Sequence, residues 1–170
     1  MKNMQKCKGF TLIELIIYIT IVSIFIVGAV NFAWDVIYAR AKSSIQQDLN
    51  HSLRFAAKRI SFEIRSAQSI NSVSSSSISL VNSDPSRNPT VIDLNSQRIR
   101  IGFGSSGSCP ISSPCFLSPE GISITSLTFT DLSSGVSENI KFNISAETVS
   151  DRSEFNSSQT IEGSGEVRGD

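Results

Sequence analysis

The chain has 170 residues, with 15 Lys and Arg against 15 Asp and Glu, so its formal net charge is zero. This length suits one globular domain, and the charge balance argues against a nucleic-acid partner, because such proteins are usually basic overall. His51 is the only histidine, which excludes most histidine-based metal sites and disfavours a Ser-His-Asp enzyme. Serine supplies 33 residues, but none lies in a Gly-x-Ser-x-Gly motif. We therefore expect no catalytic residue, no metal and no cofactor.

The first 34 residues differ sharply from the rest of the chain. Residues 1–8 carry three lysines and no acid, and residues 10–34 form an apolar run whose only charge is Glu14. As a helix, this run would span about 37 Å, enough to cross the roughly 30 Å hydrocarbon core of a lipid bilayer. Because the lysines precede the run, the positive-inside rule places the N-terminus in the cytoplasm and the remainder outside it.

Two ordinary interpretations of this segment compete, a cleaved secretory signal and a plain signal anchor. A secretory signal has a shorter apolar run and small residues at its cleavage site, which Ala39 and Ala41 supply only loosely. Neither interpretation explains Glu14. A lone carboxylate in a bilayer costs about 3 kcal/mol on insertion scales and usually marks a function or a partner.

The residues that lead up to Glu14 resemble a known signal. The sequence GFTLIE at residues 9–14, after a basic leader and before a continuous apolar helix, resembles the G-F-T-L-x-E motif of type IV prepilins and type II secretion pseudopilins. The resemblance implies that prepilin peptidase recognises the leader, including Lys6 and Lys8. It also implies that this enzyme cuts between Gly9 and Phe10 on the cytoplasmic side and N-methylates Phe10.

The same resemblance implies a role for Glu14 and a set of partners. Glu14 would pair with the N-terminal amine of a neighbouring subunit, which removes much of the cost of a carboxylate in an apolar medium. The implied partners are other pilin or pseudopilin subunits, an inner-membrane assembly platform and the lipid bilayer. Residues 39–70 also broadly resemble the J-type minor pseudopilins. The expected protein is a non-enzymatic filament subunit, anchored by one span with its head outside the cytoplasmic membrane.

An alternative function remains open on the sequence. The chain could be a membrane-anchored extracytoplasmic binding protein that joins no filament. Arg98 and Arg100 are the only local basic feature of the head. Two arginines are few for a DNA-binding surface. The sequence also leaves open whether the filament would serve secretion, DNA uptake or adhesion.

Beyond Trp34 the apolar run changes to an amphipathic pattern. Apolar residues recur at steps of three and four, at Ile45, Leu49, Leu53, Ala56, Ile60, Ile64 and Ala67. The pattern predicts one helix over residues 10–69, with a membrane or filament-core part at 10–34 and an amphipathic part at 35–69. Phe55 and Phe62 lie off the stripe and belong either to a wide core face or to a contact with a partner subunit. We interpret His51 as a solvated side chain.

Residues 70–149 have the composition of a β-rich head, and residues 150–170 form a polar tail. Alternation of apolar and polar residues predicts strands, with a bulge near Ser126, at 76–81, 91–94, 97–103, 122–129 and 138–146. Residues 72–77 read as a polar linker or turn. We expect a small antiparallel sheet packed on the helix stripe, so the fold class is α+β. For the tail, the sequence leaves open whether residues near 159–168 form an edge strand or are disordered.

The cysteines indicate an oxidising compartment. Cys7 lies in the leader, whereas Cys109 and Cys115 are separated by five residues in a segment with two prolines. This spacing favours a small disulfide-closed loop over two free thiols.

Overall fold

The computed structural model describes residues 11–104, 107–109, 115–135, 137–149 and 155–168. Within these ranges the chain forms one long helix followed by seven strands, so the predicted α+β class is confirmed. The chain divides into two compact units, residues 1–42 and 43–170, and the helix contributes residues to both.

The helix α1 spans Leu12–Ser66. From Leu49 onward one face is buried, and six of the seven predicted stripe positions are buried; Ile45 is only partly so. The helix ends at Ser66 and not at the predicted Ser69. The cause is strand pairing, since the amide of Gln68 already donates to the carbonyl of Val81, 2.9 Å away.

The first sheet contains four antiparallel strands that lie side by side in chain order. They are β1 (Ser69–Val73), β2 (Ser77–Val81), β3 (Thr90–Asn95) and β4 (Arg98–Phe103). The predicted strands at 76–81, 91–94 and 97–103 are thus confirmed.

Strand β1 corrects the sequence prediction, because part of it lies where residues 72–77 suggested a linker. Ile70 and Val73 are three residues apart, which does not fit simple alternation. A register shift between Ile70 and Ser72 absorbs the extra residue, and both apolar side chains then pack against the core.

The second sheet contains three antiparallel strands, also in chain order. They are β5 (Ile122–Asp131), β6 (Asn139–Thr148) and β7 (Ser158–Glu166). The predicted bulge is confirmed by a register shift between Ile124 and Ser126. Strand β7 lies in the tail. The sequence left a strand and disorder open for this segment, and the structure shows the strand.

The strands form two sheets and not the single sheet that we predicted. Strand β5 does not continue the first sheet but meets the two turns at one end of it. The amide of Ile124 donates to the carbonyl of Gln97 at 2.8 Å, and the amide of Phe129 donates to that of Ser75 at 3.0 Å. Gln97 lies between β3 and β4, and Ser75 lies between β1 and β2.

Both sheets and the buried face of α1 share one hydrophobic core. Its largest fully buried side chains come from all three parts of the head, and they are Leu49, Leu53, Ile60, Ile64, Ile78, Leu80, Ile92, Ile99, Ile124, Ile140, Phe142 and Ile144. Burial of this many large apolar side chains is the main stabilising contribution to the head.

A buried carboxylate interrupts this apolar face of the helix. The side chain of Glu63 has no exposed surface, and its oxygens bind two arginines. The Arg87 Nη2 atom lies 2.9 and 2.7 Å from the two carboxylate oxygens, and Arg59 Nη2 lies 2.7 Å from one of them. Arg87 belongs to a short 3-10 helix, Pro85–Arg87, between β2 and β3. The ion pair therefore ties the helix to the first sheet.

Two glycines of β7 leave room for neighbouring side chains, one from β6 and one from α1. A Cβ at Gly163 would lie 2.3 Å from the ring of Phe142, and one at Gly165 would lie 2.9 Å from Ile64 of α1. The Ser61 hydroxyl also donates to the Ser164 carbonyl at 3.4 Å. Glycine is thus required by packing at these positions and not by backbone conformation.

We predict that Glu63→Ala lowers the free energy of unfolding of the head by about 3 kcal/mol, since it leaves a cavity and two unpaired guanidinium groups. Arg59→Ala is the control, with an expected cost of about 1 kcal/mol or less, because Arg59 is 36% exposed and Glu63 keeps Arg87. Proteolysis of the unfolded fraction across a urea series measures both values. Equal losses in the two variants would contradict a dominant role for the buried carboxylate.

We also predict that Gly163→Ala destabilises the head by about 2 kcal/mol, because the added methyl group overlaps the buried ring of Phe142. The matched control is Gly121→Ala, where a Cβ meets no atom within 4 Å. The control should change stability by no more than about 0.5 kcal/mol in the same urea series. A neutral Gly163→Ala would show that β7 does not pack on Phe142 as described.

Candidate functional site

The helix begins with a cap that includes the motif glutamate. The amide of Glu14 lies 3.1 Å from the Thr11 carbonyl and 3.4 Å from the Thr11 hydroxyl, and the amide of Leu15 lies 3.2 Å from the same carbonyl. Thr11 and Glu14 have the Thr-x-x-Glu spacing of a capping box. Sequence analysis missed this cap, although the spacing is its usual signal. The motif therefore also specifies where the helix starts.

Glu14 lies in the first turn of α1, with its side chain exposed. It forms no salt bridge with any residue that the structure describes. A negative charge in the first turn is favoured by the helix dipole. The carboxylate is therefore placed favourably for the helix and remains accessible to a cation from another chain.

The helix around Glu14 suits an apolar medium. Every side chain from Leu12 to Trp34 is exposed, and most are large and hydrophobic. The two aliphatic hydroxyl groups of this stretch are satisfied within the helix: Thr20 donates to the carbonyls of Ile16 and Ile17, and Ser23 donates to that of Ile19. By length and composition α1 can cross a membrane. It is consistent with a single-pass anchor.

The residues of the predicted cleavage and methylation site, Gly9 and Phe10, lie outside the described residues, as do Lys6 and Lys8. The structure therefore does not describe how these four residues are arranged. Cys109 and Cys115 are described, and they form a disulfide with a Cα–Cα distance of 5.1 Å. This disulfide closes part of the connection between β4 and β5.

The two arginines that sequence analysis marked as a basic feature are engaged within the head. Arg98 donates to the carbonyl of Ser118 at 3.0 and 2.7 Å, and its guanidinium lies 4.4 Å from the ring centroid of Phe116. Arg100 pairs with Asp93 across β3 and β4, and this hydrogen bond raises the pKa of its guanidinium. These contacts give both arginines a role in the head, so they offer little support for a DNA-binding surface.

His51 is exposed on α1, as the sequence suggested. It lies beside Asp48, but in the described part of the chain no three His, Cys, Asp or Glu side chains are grouped as a metal ion would require.

Of the two interpretations given for Phe55 and Phe62, the wide core face is wrong. Their side chains are 51% and 55% exposed, so they do not extend the core face of the helix. Both lie on the side of α1 opposite the buried stripe, and the guanidinium of Arg59 covers part of the Phe62 ring at 5.5 Å. The other interpretation, a contact with a partner subunit, stays a prediction.

Comparison with known proteins gives one match. Residues 4–30 match the family model described as the prokaryotic N-terminal methylation motif. No curated protein sequence and no solved structure matches the chain. The matched range contains Gly9, Phe10 and Glu14, so the chain carries the prepilin-type N-terminal signal of type IV pilin-like proteins.

Proposed function

We propose that this protein is a minor pilin or pseudopilin, a non-enzymatic structural subunit of a type IV pilus-like filament. The observation that carries the proposal is the match of residues 4–30 to the methylation motif, on an apolar helix whose single charge is Glu14. The cleaved chain is held in the cytoplasmic membrane by this helix, with its N-terminus on the cytoplasmic side. The head folds outside, where its disulfide is stable.

Processing creates the cation that assembly uses. Water hydrolyses the peptide bond between Gly9 and Phe10, which releases the leader and frees the α-amine of Phe10. The amine nitrogen then takes a methyl group from an electrophilic methyl donor, whose bond to that carbon breaks, and the nitrogen loses one proton. In its protonated form this amine is a cation. Glu14 of a neighbouring subunit pairs with it, and the pairing compensates the desolvation of both charges.

The minor-subunit role is supported by the cysteine pattern and by residues 39–70. Beyond the leader, Cys109 and Cys115 are the only cysteines, and they close a short internal loop and not a large C-terminal one. Residues 39–70, which resemble the J-type minor pseudopilins, contain the amphipathic end of α1 and the start of β1. The partners of the proposed subunit are prepilin peptidase, other pilin subunits and the membrane assembly platform.

Mass spectrometry of the mature N-terminus tests the proposed processing. In cells with an active prepilin peptidase, the chain should begin at Phe10 and carry one methyl group on its α-amine. Gly9→Val is the control, since a branched side chain before the scissile bond should leave residues 1–9 attached. An intact leader in the wild-type chain would refute the proposed processing.

Filament incorporation tests the proposed role of Glu14. We expect Glu14→Val to enter filaments at least about tenfold less than the wild type, because one charge-assisted hydrogen bond contributes about 1.5 to 3 kcal/mol. Its control is Asp35→Val, which removes a carboxylate just beyond the apolar run. Both chains should be cleaved and membrane-bound. Unchanged incorporation of Glu14→Val, with cleavage intact, would remove the proposed role of Glu14. Absence of the processed wild-type chain from filaments would instead favour an anchored binding protein.

A further inference from the structure

Strand β7 has an outer edge that no described strand covers. The amide of Thr148 bonds the carbonyl of Ser157, and the amide of Val167 bonds that of Glu138, so the odd-numbered residues of β7 pair with β6. The amides and carbonyls of the even-numbered residues therefore point away from the sheet. Among the described residues, Ser158, Thr160 and Glu162 have no backbone hydrogen-bond partner on this side.

A groove of about 510 Å³ lies between this edge and the solvent side of α1. Ile161 and Gly163 of β7 and Ala57 of α1 contribute to its lining. The exposed ring of Phe62 also lines it. The groove thus combines apolar surface with unpaired backbone groups, which is the combination that an added strand requires.

The charged side chains that line the groove indicate which kind of ligand it binds. Arg54, Lys58 and Arg65 line the helix side, and within the described ranges none of them forms a salt bridge. The one carboxylate of the lining, Glu162, lies 3.1 Å from the Lys141 ammonium and is already paired. On the described residues, the groove is therefore lined by three cations without an ion-pair partner and by one acid that is paired.

A second copy of this chain fits the groove poorly. If two β7 strands paired edge to edge, the cationic helix faces of both copies would come together on the same side of the joined sheet. Like charges that face each other across an interface disfavour association. An acidic segment on the same edge would instead bring carboxylates to Arg54, Lys58 and Arg65.

The geometry points to a docking site for an extended acidic segment of a partner protein, which adds to β7 as a fourth strand of the second sheet. The backbone of the segment would bond Thr160 and Glu162, and its carboxylates would meet the cations of α1. The inference goes beyond filament assembly, because it concerns only the head.

Hydrogen exchange on the full chain in detergent micelles tests the site. The probe is a synthetic peptide of alternating glutamate and valine, and the control is the same peptide with lysine in place of glutamate. We expect the acidic peptide to slow exchange at the amides of Thr160 and Glu162 about tenfold. The amides of Ile161 and Gly163, which are already bonded to β6, should not change. Equal protection by the lysine peptide, or none by either, would overturn the proposal.

Two sets of variants locate the binding further. Replacing Arg54, Lys58 and Arg65 together by glutamine should weaken binding of the acidic peptide at least about tenfold, and these exposed changes should leave the fold intact. Thr160→Pro removes the outward-facing amide and the hydroxyl contact with Ser145, but no backbone bond to β6. It should abolish protection at Glu162 while β7 stays paired with β6. Unaltered binding by the glutamine variant would overturn the proposal even if Thr160→Pro failed to fold.

Self-association is a separate outcome of the same experiment. If exchange at Thr160 and Glu162 slowed as the protein concentration rose without any peptide, β7 would pair with a second copy and the proposal would be wrong. Failure of the peptide test leaves the proposed processing untouched, because cleavage and methylation are read from the N-terminal residue.

Discussion

The head depends on one buried ion pair. Glu63 lies on the apolar face of α1, where an unpaired carboxylate would be strongly destabilising. One partner, Arg59, belongs to the same helix, but Arg87 comes from the connection between β2 and β3. Arg87 therefore reaches both carboxylate oxygens only when the first sheet packs at one position on the helix. Apolar contacts supply most of the stabilisation but tolerate sliding. The directional bonds of the carboxylate select one arrangement among those that the core would allow.

The second sheet is positioned by small residues and by backbone contacts. Gly163 and Gly165 let β7 approach Phe142 and Ile64, and β5 bonds the turns of the first sheet. The same close approach places the open edge of β7 beside the exposed side of α1. The packing that completes the core thus also creates the groove, and no separate element is needed to build it.

The elements that the sequence predicted well are those with a strong local pattern. The stripe on α1, five of the strands of the head and the bulge near Ser126 follow from apolar spacing. Strand β1 was missed because its apolar residues are brought to one side only by a bulge, and β7 was uncertain because Ile161 is its only large apolar residue. Phe55 and Phe62 could not be assigned by spacing, since spacing does not tell which side of a helix is covered.

The sequence by itself determined the prepilin-type signal, the long N-terminal helix and the α+β class. These features depend on residues close together in the chain, and GFTLIE at 9–14 is complete as a linear motif. Only the tertiary structure decided the division into two sheets, the pairing of Glu63 with Arg87 and the groove between α1 and β7. Each of these joins residues that are far apart in the chain, and neither composition nor periodicity specifies which distant segments meet.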